Sequence, residues 1–432
     1  MFSLVGPILA QLTTVGVAAR TEARVVVAEA PANPTVTASR SYGAHYEAGV
    51  YPTIGATLTE KRLQLRAAYS PAFTVTPLES SSRELLVLHM ITAGGSYGWR
   101  RTSLTIGNTV SFGEQNFRVL ATSSTPGASP TPPAGSATPP TTGSGSAGTG
   151  APATGGSTVP GAPTTPGVGG PANAIPPVNR SLRFLNYSAN LGVGHNLSQS
   201  ITLGASAGYG YAGPRDAEWH VIYPTVQGPS LAFTARDQLS FADAINAGLS
   251  LQYAFSSSGS RTWNSNGTAG WTHRFNTQTS SSLSGGAGIA RNSLPNGTIS
   301  YTIYPTFSAG LVHEKRLKPG FLTLGVSTTA APALDFNSLV IDPRLSFAAS
   351  AAYTRDSFFA NASIGTAYSI SDQTRGSFSG FGGGAGLGYR FSTYVAVDGG
   401  VRVAYQAYQG ATSLPFTYAG YVGVSVGFSD QL

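Results

Sequence analysis

Apolar and polar residues alternate with a period of two along most of the chain. In "SITLGASAGYGYAG", residues 200–213, Ile201, Leu203, Ala205, Ala207, Tyr209 and Tyr211 fall on one side, and Ser200, Thr202, Gly204, Ser206, Gly208 and Gly210 on the other. "RLQLRAAYSPAFTV" (62–75), "ISYTIYPTF" (299–307) and "PFTYAGYVGVSVGF" (415–428) repeat the pattern. This period predicts β-strands with one apolar and one polar face. The alternations outlast the about five or six residues of a soluble strand and suit tilted strands crossing a bilayer. Their polar face is Gly, Ser, Thr, Asn and Gln with some Tyr and Arg, where a soluble sandwich would display Lys and Glu. The apolar face is therefore expected to meet lipid, with Phe416, Tyr418 and Phe428 at strand ends as part of an aromatic girdle.

The connectors set the strand count. "TEKR", "WRRT", "HNLS", "ARDQ", "FNTQT", "EKRLKPG", "TRDS" and "RFSTY" are tight and fall on one side. "TPLESSSRE", the segment 122–179, "GPRDAEWHVIYPTVQGP", "SSSGSR", "ARNSLPNG", the stretch around Asp335, "SDQTRG" and "YQGATS" fall on the other. Short turns on one side and longer loops on the other is the asymmetry of bacterial outer-membrane barrels. Strands from about Ser41 onward, with "EARVVVAEA" as the first, predict an all-β, antiparallel transmembrane β-barrel of 18 strands, with 16 as the alternative. One residue resists: Asp243 falls in the apolar register of "LSFADAINAGLSLQYAF", a conflict that a bulge or turn at Ala242 and Asp243 would remove.

Composition agrees with a lipid-facing wall. Of 432 residues only 10% are charged, against about 25% in a soluble domain. No stretch beyond the first twenty residues is apolar enough for a membrane-spanning helix. The chain has no cysteine, which excludes disulfides and thiolate metal sites. Residues 1–19 are apolar and end in Val17, Ala18 and Ala19, so they read as a signal peptide, although without a basic leader. The barrel then occupies 20–121 and 180–432, interrupted by the Pro/Gly/Ser/Thr-rich segment 122–179. That segment has too little apolar surface to order itself and is expected to be a disordered extracellular loop.

Residues fit for catalysis are sparse. His45, His89, His195, His220, His273 and His313 are dispersed and match no metal spacing, and no nucleophile elbow or phosphate loop is present. "GFGGGAGLG" at 380–388 lies in an alternating stretch with no helix after it, so it reads as small wall residues. Asp216, Glu218 and His220 form the one acid–base set that an outer-membrane enzyme could use. No catalytic, cofactor or metal residue is assigned. Strand parity instead assigns a pore-lining set: His45, Glu47, Arg62, Gln64, Arg66, Arg344, Arg390, Asp398 and Arg402. With a net charge of +7, these arginines would favour anions in a low-dielectric passage, or else brace the wall as ion pairs such as Asp398 with Arg402. The basic residues are not clustered on a nucleic-acid module, so no nucleic-acid partner is expected.

The blocks "AAYSPAFTV", "LHMITAGGSYGWRRTSLTIGNTVSFGEQNF" and "VQGPSLAFTARDQLSFADAINAGLSL" resemble the porins of about 18 strands in Wzx/Wzy-type exopolysaccharide secretion of Gram-negative bacteria. The resemblance implies a pore for an anionic or neutral polysaccharide in the outer membrane, with a periplasmic polysaccharide-export protein as partner. The ending "SDQL" after Phe428 departs from the terminal aromatic residue usual in such barrels. A general diffusion porin for small solutes is the alternative within the same class. An outer-membrane enzyme and a secreted adhesive β-protein are the readings from other classes.

Overall fold

The computed structural model describes residues 12–29, 42–75, 85–115, 182–215, 224–334, 341–369, 378–408 and 414–430. They form eighteen strands: β1 Leu12–Glu29, β2 Tyr42–Thr59, β3 Leu63–Val75, β4 Leu85–Gly98, β5 Thr102–Gln115, β6 Leu182–Asn196, β7 Ile201–Pro214, β8 Val226–Gln238 and β9 Asp243–Ser256. The second half comprises β10 Arg261–Arg274, β11 Thr279–Ser293, β12 Ile299–Leu317, β13 Gly320–Leu334, β14 Ile341–Arg355, β15 Phe358–Ser369, β16 Phe378–Arg390, β17 Val395–Tyr408 and β18 Leu414–Asp430. Each pairs antiparallel with its sequence neighbours, and β1 pairs with β18 from Val15↔Asp430 to Ala28↔Thr417. The sheet therefore closes on itself and leaves no edge, the condition for a β-structure in hydrocarbon, where an unpaired backbone group finds no water. The count is eighteen, and the sixteen-strand alternative is excluded.

Local chemistry explains the turns. The start of β1 and the end of β18 lie at the end of the barrel where all the even-to-odd connections lie: 60–62, 99–101, 197–200, 239–242, 275–278, 318–319, 356–357 and 391–394. Ser198, Ser240, Asn276 and Ser392 each accept hydrogen bonds from backbone N–H groups two or three residues on, closing their turns. In the two-residue turn 356–357, Asp356 takes φ 47°, a left-handed conformation that Asp tolerates better than most residues. At the opposite, loop end only 257–260 and 294–298 are fully described connections, with Gly259 and Gly297 at φ 88° and 80°.

Two expectations are corrected. The "ARDQ" segment at 235–238 is strand, and its turn falls at 239–242 instead, because Ser240 rather than Asp237 supplies the turn-closing side chain. Arg62 lies in the turn 60–62 and not in the wall. Ala18 and Ala19 lie within β1 and pair with Gly427 and Val426 on one side and with Thr53 and Pro52 on the other. The expected disordered loop, 122–179, lies outside the described residues, as do Asp216, Glu218 and His220.

Candidate functional site

The wall has two chemically opposite faces. Ile54, Leu65, Ile106, Leu191, Leu249, Leu283, Ile303, Val401 and Val422 all stand exposed on one face of their strands. The register joins such residues laterally, as in Phe233↔Leu249 and Ile106↔Leu191. Intervening positions are Ser206, Gly208, Ser250, Thr268, Ser284 and Ser308, the last two joined by a 2.7 Å hydroxyl pair. A contiguous exposed apolar surface wrapped around a closed barrel is a lipid-facing surface, and the Gly/Ser/Thr face lines the interior.

Aromatic residues mark the rims of the outer face. At the short-turn end Tyr97 meets Trp99 edge-on with centroids 4.6 Å apart, and Tyr389 meets Phe391 at 5.0 Å. Toward the loop end Tyr69, His89 and Phe112 stack in series, with centroid spacings of 6.0 and 4.8 Å. Tyr418 also faces outward; the side chains of Phe416 and Phe428 lie outside the described residues. Such belts sit at headgroup level because an aromatic ring with a polar edge is stable at a water–hydrocarbon boundary.

The Asp243 conflict resolves at this rim. Asp243 is the first residue of β9 and keeps its outward parity, but the turn at 239–242 brings it to the end of the wall. Its carboxylate accepts hydrogen bonds from Trp271 Nε1 at 3.0 Å, His273 Nδ1 at 2.8 Å and Ser240 Oγ at 2.9 Å. A carboxylate at the interface with three donors avoids most of the cost it would meet at the bilayer midplane. Ser240 bonds the carboxylate and not the imidazole, so the trio is not an arrangement that activates a serine nucleophile. Because the cluster lies outside the lumen, Asp243→Asn should leave single-channel conductance unchanged in planar bilayers; an altered step size would place it in the permeation path.

Eighteen strands spaced by about 4.8 Å and tilted by about 40° close a cylinder about 35 Å across at the backbone. Each described strand touches chiefly the two strands it pairs with. Inward aromatic rings lie against the wall: Phe359 of β15 covers Gly388 of β16, and Tyr304 of β12 covers Gly288 of β11. Glycine at those positions leaves room for the ring to lie against the wall.

The sequence-assigned lining residues disperse around this interior. Gln64 and Arg66 lie on the inward face of β3, opposite Leu65. Arg66 stretches beside Gly94, where a Cβ would sit 3.5 Å from its Nε. Arg344 follows Asp342 in the inward parity row of β14, and Arg390 ends that of β16. Asp398 and Arg402 share the inward row of β17, and Arg402 lies over the Tyr421 ring at 5.0 Å. Among the described residues Asp398 forms no ion pair with Arg402. In β2 the backbone register sets Glu47 opposite Arg24 and His45 opposite Val26; the side chains of His45 and Glu47 lie outside the described residues. The set thus does not converge on one point, as a catalytic site would.

Sequence reading missed Arg236, Arg274 and Arg316. They occupy inward positions beside the short turns, where alternation stops being visible. Parity counted from the outward Phe233, Trp271 and Leu311 would have found them. Among the described residues no group of metal-ligating side chains gathers.

No family model matches the chain, and no curated protein matches it. Among solved structures it is similar to OccAB3 of Acinetobacter baumannii, at 9% identity and a TM-score of 0.43, covering 96% of this chain and 99% of that one. It is similar to OpdQ of Pseudomonas aeruginosa, at 10% identity and a TM-score of 0.42, covering 97% and 99%. It is also similar to the apoprotein of the FrpB iron transporter of Neisseria meningitidis, at 7% identity and a TM-score of 0.49, covering 98% and 82%. At these identities and scores no role passes from those proteins to this chain.

Proposed function

We propose that the protein is an outer-membrane porin through which small hydrated solutes diffuse passively. The observation that carries this reading is the wall itself: a closed 18-stranded barrel, apolar outside and lined with Gly, Ser, Thr and Asn inside. A barrel of this strand number leaves an aqueous channel unless something fills it. Short turns face the periplasm and long loops face outward in bacterial barrels, so on this reading the turns 60–62 to 391–394 face the periplasm. Passage requires no covalent step, only a hydrated route past hydroxyl and amide groups that replace the solute's lost waters.

Liposome swelling separates small-solute diffusion from the narrower reading of polysaccharide export with a periplasmic partner. Refolded protein is expected to make liposomes permeable to arabinose and glucose while excluding dextran. Passage of dextran would favour the polymer conduit that the resembling sequence blocks imply. Liposomes that stay tight to every sugar, although the protein has inserted, would overturn the porin reading.

A further inference from the structure

We propose that the periplasmic mouth carries a cationic collar, made by Arg66, Arg236, Arg274 and Arg316, which draws anions into the pore and binds multivalent phosphate-class anions at that end. This rests on the porin reading above and deepens it by naming the class of solute favoured.

The collar follows from parity and turn position together. Arg66 sits close to the start of β3, Arg236 close to the end of β8, Arg274 at the end of β10 and Arg316 one residue before the end of β12. All four strand ends lie at the short-turn side, and all four parities are inward, so four separate strands bring a guanidinium to one mouth. Among the described residues Arg66, Arg274 and Arg316 form no ion pair, and Arg236 donates from Nη2 to Gln238 Oε1 at 3.1 Å. Nearby acids do little to neutralise them. Asp237 and Asp243 have outward parity, and Asp243 is committed to Trp271, His273 and Ser240. Glu314 and Asp398 are the inward carboxylates with described side chains in this tier, each the fourth residue from the short-turn end of its strand, as Arg66 is. The turns add Lys61, Arg62, Arg100, Arg101 and Lys318 against Glu60 and Asp356. The wall above the collar on β7 to β11 is uncharged Gly, Ser, Thr and Asn.

Screening decides how the collar acts. At physiological salt the Debye length is about 8 Å, shorter than the radius of a bore of this size, so monovalent anions feel the field mainly near the wall. At 0.01 M it reaches about 30 Å and spans the mouth. Selectivity should therefore rise steeply as salt falls. A polyanion that contacts several guanidinium groups at once is held through charge-assisted, often bidentate hydrogen bonds even at moderate salt.

The test is reversal potential in planar bilayers under a KCl gradient, at low and at high salt, with sodium pyrophosphate then added to one compartment. Full-length protein should give an anion-signed potential that shrinks as salt increases. Pyrophosphate should reduce current from one side of the membrane only. Arg66→Gln, Arg274→Gln and Arg316→Gln combined should move the potential toward zero and abolish the block, whereas Arg261→Gln, outward at the loop end, should change neither. Current without anion preference in the unmodified protein, or block equal from both sides, would overturn the collar alone and needs no variant. Protein that inserts and carries no current would overturn the porin reading and the collar with it.

Discussion

Replacing Leu249 by Arg should destabilise the inserted barrel by about 2–4 kcal/mol, measured by reversible denaturant unfolding in lipid vesicles. Leu249 stands in the middle of β9, 43% exposed on the outer face between Phe233 of β8 and Gly267 of β10. A guanidinium there must either lose its hydration at the bilayer midplane or drag water and headgroups inward. The neighbouring change, Ser250→Arg, puts the same charge on the interior face and should cost little. This pair of variants isolates facing from composition, since the residues are adjacent and the introduced group is identical. Equal costs at the two positions would mean that the assignment of lipid and lumen faces is wrong.

Gly288→Ala should destabilise the barrel by about 1–3 kcal/mol through overpacking, and should also lower single-channel conductance. The Tyr304 ring lies across Gly288, 1% exposed, with its hydroxyl donating to Asn264 Oδ1 on β10. A methyl group at 288 occupies the space of the ring's outer atoms, so the ring must leave the wall for the bore. The displaced hydroxyl also abandons Asn264, itself 7% exposed, and an unpaired buried amide oxygen costs about another 1–3 kcal/mol. Tyr304→Phe separates the two contributions: it removes the hydrogen bond, keeps the ring on the wall, and should leave conductance unchanged. A Gly288→Ala protein with full conductance would show that the ring finds another seat against the wall.

Much of this architecture was legible in the chain because a strand's faces are a local property. Ile201 to Tyr211 declare an apolar side without reference to any other strand, and the tight connectors announce themselves through Ser, Asn and Asp side chains that bond their own backbone. That local grammar was enough for an antiparallel barrel with short turns at one end. It misled where two local signals competed. In "ARDQLSFADA" Asp237 and Ser240 both look able to close a turn, and only the pairing of β8 with β9, from Gln227↔Phe255 to Gln238↔Ala244, fixes which one does.

The sequence by itself determined which side of each strand is apolar, roughly where the chain reverses, and that the charges are too few for a soluble surface. Tertiary structure alone decided that β1 meets β18, that Asp243 has three donors from residues up to thirty positions away, and that Arg66, Arg236, Arg274 and Arg316 stand at one mouth. The physical reason is range. Alternation and turn chemistry act over a few residues, whereas closure and register depend on hydrogen bonds between strands as distant as Val15 and Asp430, and one residue of slip would exchange every lumen group with a lipid-facing one.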